Sequence, residues 1–334
     1  MKKLGLHGSK MQADYEAPRV VAIVGPTAVG KTEISLRLAE ALNGEIVSTD
    51  SRQFYRGMDI GTAKATAEEL ARVPHHLIDV ADPDEIWSLA VFQKEAQQAI
   101  SDICSRGKLP FLVGGTGQYI RAVLEGWDIP AQAPVPHLRQ ALEAWADEIG
   151  PAALYEKLKL IDPEAAKKID ANNLRRTVRA LEVIFQTGRK FSALRRRKAS
   201  PYILKFVGLQ RPRPELYKRI DARIELMLEN GFLDEVQALL NKGYSADLPN
   251  MSAIGYREMV AYLQGEMSLE DAVARMKRLT RIFVRRQANW FKADDPNIRW
   301  FDMGEDVVEQ MIAYVKDEAG WIYPVSPEEN GGGS

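Results

Sequence analysis

Cysteine is almost absent. One residue, Cys104, stands in a chain of 334. An internal disulfide is excluded, and the chain reads as cytoplasmic rather than secreted. Cys104 lies in the helical pattern SLAVFQKEAQQAISDICSRG and reads as a small core residue. Four scattered histidines and that one cysteine do not supply a structural zinc site. Long apolar runs are missing too. None approaches the ~20 residues of a membrane span, so no membrane partner is expected. The leader MKKLGLHGSKMQADYEAP has lysines but no apolar stretch behind them, unlike a secretory signal. No internal repeat stands out, and the ending ENGGGS reads as a flexible linker.

Net charge is also missing. Lys plus Arg number 45 and Asp plus Glu 46, so the overall balance does not announce a polyanion binder. The distribution does. From Arg175 to Lys198 run Arg175, Arg176, Arg179, Arg189, Lys190, Arg195, Arg196, Arg197 and Lys198 against one acid, Glu182. A second run holds Arg275, Lys277, Arg278, Arg281, Arg285, Arg286 and Lys292, with no acid between Ala272 and Ala293. A charge run is usually a solvated face. Two one-signed runs in a neutral chain point instead to a polyanion.

What is present begins with PRVVAIVGPTAVGKT at 18–32. A β-branched run leads into Gly25-x-x-x-x-Gly30-Lys31-Thr32, and the amphipathic EISLRLAEALNG follows. Strand, glycine loop and helix are the context that a phosphate-binding P-loop needs. Backbone amides along Gly25, Thr27, Ala28, Val29 and Gly30 can turn into one concavity, and the helix adds its positive N-terminal end. Lys31 supplies an ammonium, and the Thr32 hydroxyl can reach Mg²⁺. A nucleoside triphosphate and an organic diphosphate look alike to such a loop.

Further strand patterns lie at 45–49, 109–113, 203–209 and 298–301, with helical patterns at 31–43, 88–106 and 117–125. Gly44 and Gly107 are placed as helix stops. Strand alternating with helix predicts an α/β fold, a P-loop NTPase-like parallel sheet core covered on both faces. Between 126 and 202 the strand signals vanish. Pro130, Pro134 and Pro136 mark the entry, and a mainly helical insertion domain fits. The expected organisation is a core of 18–125 and 203–317, an insertion of 126–202, and tails of 1–17 and 318–334. In 268–291, Ser268 and Asp271 make a capping start. Leu269, Val273, Met276, Phe283 and Trp290 read as its buried stripe, with no chemistry assigned, and Arg275, Arg278, Arg281 and Arg285 form a neighbouring one.

Ligands in α/β sheets sit beyond the carboxyl ends of the strands. The second strand ends in Ser48-Thr49-Asp50-Ser51, so Asp50 is a metal ligand, a general base or the cap of the next turn. The strand at 109–113 ends in Gly114-Gly115-Thr116-Gly117, where glycines allow a ligand close to the backbone and Thr116 offers a polar contact. A Walker B strand, several apolar residues ending in Asp, is lacking. FLV ends in glycines, and HLID at 76–79 has two apolar residues before Asp79. That disfavours an ATPase and leaves small-molecule kinases and diphosphate-using transferases.

GPTAVGKT (25–32), STDSRQFYRGMDIGTAK (48–64), VPHHLID (73–79), VGGTGQYIRAVLEG (113–126), LRRTVRALEV (174–183), YKRIDARIELML (217–228) and SAIGYRE (252–258) together resemble the bacterial tRNA dimethylallyltransferases. These prenyltransferases modify the adenosine 3′ to the anticodon. The resemblance runs from about Val20 to Trp300, and the 48–64 segment is its most specific part. It implies that dimethylallyl diphosphate occupies the P-loop, with Arg223 on the diphosphate and Arg219 a neighbour one helical turn earlier. It implies Asp50 as the base for the adenine N6 proton, Thr116 as the opposite wall and Mg²⁺ at Thr32. It implies contacts to the tRNA anticodon loop from Ser51, Arg52, Gln53, Arg139, Arg175, Arg176, Arg179, Ser252, Gly255, Tyr256, Arg257, Arg281 and the Arg285–Lys292 stretch with Arg285 and Arg286. A monomer is expected. The alternatives are an adenylate isopentenyltransferase, a P-loop small-molecule kinase and an RNA-binding protein with a vestigial P-loop.

Overall fold

The computed structural model describes residues 17–129, 135–195 and 200–322. The expectations for the leader, for Pro130 and Pro134, for Arg196, Arg197 and Lys198 and for the final linker fall outside them.

The chain runs β1 (Arg19–Val24), α1 (Lys31–Ala41), β2 (Gly44–Ser48), α2 (Ala67–Arg72), β3 (His75–His76), α3 (Leu89–Ser105), β4 (Leu109–Gly114) and α4 (Gly117–Leu124). Helices α5 (Pro136–Ile149), α6 (Pro151–Ile161), α7 (Pro163–Ala166) and α8 (Leu174–Thr187) follow, with a 3₁₀ turn at Phe191–Arg195. Then come β5 (Ile203–Gln210), α9 (Arg213–Glu229), α10 (Phe232–Asn241), α11 (Tyr256–Leu263), α12 (Leu269–Gln287), β6 (Ile298–Asp302) and α13 (Val307–Lys316).

The six strands form one parallel sheet in the order β3-β2-β4-β1-β5-β6. Residues Val20–Val24 of the central β1 are buried without a break, as expected where helices cover both faces. Helix α3 shows the local logic. Ser88 caps it by accepting from the Val91 amide at 3.2 Å, and Phe92, Ala96, Ile100 and Ile103 recur every three or four residues to face the sheet. Cys104 is half-buried beside that stripe rather than inside it, and burial raises its thiol pKa.

A second hydrophobic cluster belongs wholly to the helical segment between β4 and β5. Leu142 and Ala146 of α5, Leu154 and Leu158 of α6, Ile169, and Val178, Leu181 and Ile184 of α8 are its buried members. Strands are absent from this segment among the described residues because its apolar periods are helical throughout.

Two local expectations are corrected, at Gly44 and at Phe283. Gly44 is the first residue of β2, not a helix stop; Asn43 takes the left-handed turn, with φ +50°, while Gly107 does end its helix at φ +69°. A Cβ on Gly44 would lie 2.3 Å from the Phe111 ring, so packing requires that glycine. The two-residue β3 has no sequence signature, because an edge strand so short shows no alternation. Asp79 lies beyond β3 and pairs with Lys64 at 2.6 Å, in agreement with the reading that HLID is no Walker B strand. Finally, Phe283 is 39% exposed and not core; α12 buries Ala272, Met276, Val284 and Gln287.

The expected C-terminal tail packs further than 317. Ile322 exchanges backbone hydrogen bonds with Leu204, both 2.9 Å. Trp321 and Tyr314 cover the buried Lys205 ammonium, 5.0 and 4.7 Å from their ring centroids.

Candidate active site

Cations take the carbonyls of the loop after β1. Lys31 Nζ donates to the carbonyls of Gly25 (3.1 Å) and Pro26 (2.9 Å). Arg219 Nε donates to Ala28 O at 2.8 Å, and Arg211 Nε to Val29 O at 3.0 Å. The turn has three positive φ values, +153° at Gly25, +66° at Ala28 and +111° at Gly30. At Ala28 that conformation costs about 1–2 kcal/mol, held by the loop's contacts. Helix α1 starts at Lys31 with no side-chain cap, so its first amides are free for an anion. Arg219, expected on a diphosphate, thus holds the loop itself through Nε.

Sheet order sets the other walls. Strand β4 lies between β1 and β2, so Thr116, one turn past β4, stands between the P-loop and Asp50. Thr116 is the N-cap of α4, but its hydroxyl makes no capping bond and remains available to a ligand. Asp50 Oδ1 accepts from the Arg52 amide at 3.0 Å, an Asx turn that fixes the carboxylate. Capping and chemistry are compatible there, since Oδ2 has no hydrogen-bond donor among the described residues.

One cavity of about 350 Å³ collects these groups. Thr27, Asp50, Thr116 and Arg223 line its polar end. Ile220, Ile224 and Met227 of α9 and Met276 and Phe283 of α12 line its apolar wall. Ser51, Arg52 and Ser252 are at its rim. Burial lowers the Lys31 pKa to about 8; the Asp50 charge opposes this and the Arg223 charge adds to it. Arg223 is lowered too, chiefly by burial, with Asp50 again opposing. Asp50, Lys31 and Arg223 therefore lie within electrostatic reach of one another.

The glycines after β4 serve a different purpose from the expected one. A Cβ on Gly114 would lie 2.2 Å from Thr49 Oγ1, and one on Gly115 2.1 Å from Gln287 Nε2. Protein groups, not a ligand, come close there.

Several residues expected to meet RNA are engaged internally. Tyr256 is fully buried on Phe232, and its hydroxyl donates to Glu235 at 2.6 Å. Gly255 is buried at the cap of α11, its amide donating to Glu258 at 2.8 Å. Arg257 and Arg275 reach the buried Glu258 at 3.1 and 3.5 Å. Gln53 accepts from Ser48 Oγ at 3.0 Å and donates to the Ala63 carbonyl at 3.2 Å. Arg281 is paired with Asp221.

In the insertion, Arg139 and Arg179 each hold the buried Glu182 at 2.8 Å. Burial pushes that carboxyl up, but the two hydrogen bonds outweigh it and leave Glu182 below the usual range. Arg139, Arg175 and Arg179 line a cavity of about 640 Å³, separate from the one at Asp50. No ion pair holds Arg175, Arg176, Arg285 or Arg286 among the described residues, and all four are exposed. The two runs thus divide into paired arginines and displayed ones.

Sequence reasoning missed the apolar wall, and it met Gln287 only as part of the Arg285–Lys292 stretch, not as a partner of Thr27 and Gly115. The wall comes from α9 residues that resemble any buried stripe. Gln287 had a signal: it is a polar residue four places after Phe283 and three before Trp290, on an otherwise apolar face.

Comparison with known proteins identifies the family. The family model for IPP transferase matches residues 53–294, and that for isopentenyl transferase matches 18–81. A tRNA dimethylallyltransferase of a Roseiflexus species is 58% identical over 91% of this chain and 98% of its own. The one from Thermomicrobium roseum is 46% identical over 94% and 96%. The crystal structure of the tRNA isopentenylpyrophosphate transferase from Bacillus halodurans superposes with a TM-score of 0.67 at 45% identity, covering 90% of this chain and 96% of that one. A eukaryotic dimethylallyltransferase acting on tRNA superposes at 0.74 with 29% identity, covering 89% and 77%. With the match spanning most of the chain and relatives this close along nearly their whole length, the chain belongs to the IPP transferase family.

Proposed function

We propose that the protein transfers a dimethylallyl group from dimethylallyl diphosphate to the N6 amine of the adenosine 3′ to the anticodon of tRNA, releasing diphosphate. One observation carries this reading: a single cavity joins Asp50, Thr116 and Arg223, beside a phosphate loop, to a wall of Ile220, Ile224, Met227, Met276 and Phe283. A polar end next to an apolar wall suits an allylic diphosphate better than a nucleoside triphosphate, whose base and ribose are polar.

The N6 nitrogen attacks C1 of the allyl group, the C1–N6 bond forms, and the C1–O bond to diphosphate breaks. Asp50 takes the N6 proton. Negative charge grows on the departing oxygens, where the α1 amides, Lys31 and Arg223 meet it. Phe283 and the α9 side chains exclude water from the allylic carbon, which would otherwise be hydrolysed.

The donor set fits Mg²⁺ held mainly by substrate. The Thr32 hydroxyl is exposed beside the loop, and no group of three potential metal ligands occurs among the described residues. Mg²⁺ bound through diphosphate oxygens and water needs no protein cage. Thr32 would hold it there, and the ion would neutralise diphosphate charge.

Arg175 and Arg176 on the insertion and Arg285 and Arg286 on α12 offer exposed cations to the anticodon stem-loop phosphates. An anticodon-loop base can be unstacked and extended into the cavity at modest cost. No helix of the described residues is long and apolar enough to cross a membrane, and the lone cysteine supports the cytoplasm.

Labelled dimethylallyl diphosphate, offered with unmodified tRNA or with AMP, tests the reading. Label should enter tRNA and not AMP. Asp50→Asn should lower kcat by roughly 10²–10⁴ with affinities little changed. Label in AMP alone, or full single-turnover activity in the Asn variant, would remove the tRNA assignment or the base assignment respectively.

A further inference from the structure

Gln287 is 7% exposed and ends α12. Its Oε1 accepts from the Thr27 amide at 2.8 Å, and its Nε2 donates to the Gly115 carbonyl at 3.1 Å. One side chain therefore ties the P-loop to the turn after β4. Thr27 and Thr116, on the two sides of this tie, both line the reaction cavity.

The chemistry of the two contacts selects an amide. The partner of Thr27 must accept and the partner of Gly115 must donate, from opposite branches of one planar group. A carboxylate offers no donor, a lysine no acceptor and an aliphatic chain neither. The Gly115 position is shaped to match, since any Cβ there would meet Nε2 at 2.1 Å. Thr27's amide, facing Gln287, is not among those offered to an anion. The other side chains on the loop act on its carbonyls; Gln287 alone among the described side chains accepts from a loop amide.

Gln287 also forms a partition. A smaller cavity of about 230 Å³ lies behind the loop, lined by Gly25, Pro26, Arg211, Arg285 and Trp300 among others. Gln287 is the residue that lines both this cavity and the one at Asp50. The same α12 carries Phe283 of the apolar wall four residues earlier, and the exposed Arg285 and Arg286 just before it.

We infer that Gln287 is a positioning residue for the reaction. It sets the conformation of the P-loop at Thr27 and fixes the loop's distance from Thr116, so that the diphosphate and the nucleophile's wall are held in register. It touches neither substrate's reacting atoms. This inference rests on the proposed function for its kinetic readout but not for its binding readout.

The test is a set of variants: Gln287→Met, Gln287→Glu, Gln287→Ala, Gly115→Ala and the Gly115→Ala/Gln287→Ala double variant. Gln287→Met, which loses both bonds at similar size, should raise KM for dimethylallyl diphosphate about tenfold, with KM for tRNA within about twofold. Gln287→Glu, which keeps the acceptor but sets a carboxylate against the Gly115 carbonyl, should do the same. Gly115→Ala should be damaging alone and nearly harmless when Gln287 is already Ala, because the clash is with Nε2. Calorimetric binding of inorganic pyrophosphate should weaken in step with the KM values. Were both KM values to rise together with a lowered melting temperature, Gln287 would be a packing residue only and the inference overturned. An additive double variant, or a Gln287→Met protein with wild-type KM, would also overturn it. If the wild-type protein transfers no label to tRNA, the proposed function fails, and the pyrophosphate binding of the variants still decides the role of Gln287.

Discussion

The Lys31 ammonium donates to the Gly25 and Pro26 carbonyls while burial lowers its pKa to about 8. A depressed lysine has a predictable consequence for binding. Below about pH 8 it is already charged and meets the diphosphate as a cation. Above that, binding must also take up a proton. KM for dimethylallyl diphosphate should therefore be flat up to about pH 8 and then rise, approaching tenfold per unit. In Lys31→Arg the rising limb should disappear, since guanidinium stays charged throughout. A wild-type KM that is flat to about pH 9.5 would show that Lys31 does not titrate on binding. The sequence announced this lysine through its spacing from Gly25 and Gly30. Strand order brought Asp50 near it, and the resemblance brought Arg223 to the same diphosphate; that burial outweighs the Asp50 charge at Lys31 is decided by the fold.

Helices α8 and α12 show why a basic run is not yet a binding surface. Both were legible as one-signed stretches. Within α8, Arg179 turns inward to Glu182 together with Arg139, while Arg175 and Arg176 stay exposed. Within α12, Arg281 is paired with Asp221 and stacked 5.4 Å over the Tyr217 ring. A cation already paired releases few counterions on meeting RNA. Neutralising Arg175 and Arg176 together should lower the slope of log affinity against log salt by roughly one to two. Arg281→Ala should leave the slope unchanged. Filter binding of tRNA over a salt series reads both, and equal slopes for the two variants would mean that the division drawn here is wrong. The stripe on α12 misled for a related reason. Phe283 has core spacing, but the surface it faces is a cavity, and periodicity cannot tell a packed wall from an empty one.

At the scale of the molecule, the chain closes on itself through β5. Leu204 pairs with Ile322, and Lys205 beneath it donates to the carbonyls of Tyr314 and Asp317 under the Trp321 ring. Removing residues from 318 onward should cost about 2–3 kcal/mol, from two backbone hydrogen bonds and the contacts of Arg19 and Lys205 with the Trp321 ring, while the exposed Arg19–Glu318 ion pair that goes with them adds little. A lowered urea midpoint with unchanged kcat is expected, because this clasp is remote from the Asp50 cavity. A coincident loss of kcat would place the C-terminal segment in the catalytic architecture.

The sequence by itself determined the parallel α/β core, the phosphate loop, the helical insertion and the candidacy of Asp50 and Thr116. Those follow from local signals: apolar runs of strand length, glycine spacing before a helix, and polar residues at the ends of strands. Tertiary structure alone decided which arginines are displayed, that Tyr256 is buried, that Gly115 makes room for Gln287, and that α9 and α12 wall one cavity. Each of these depends on groups far apart in the chain meeting at contact distance. A linear pattern records which face a residue occupies, but not what stands opposite it.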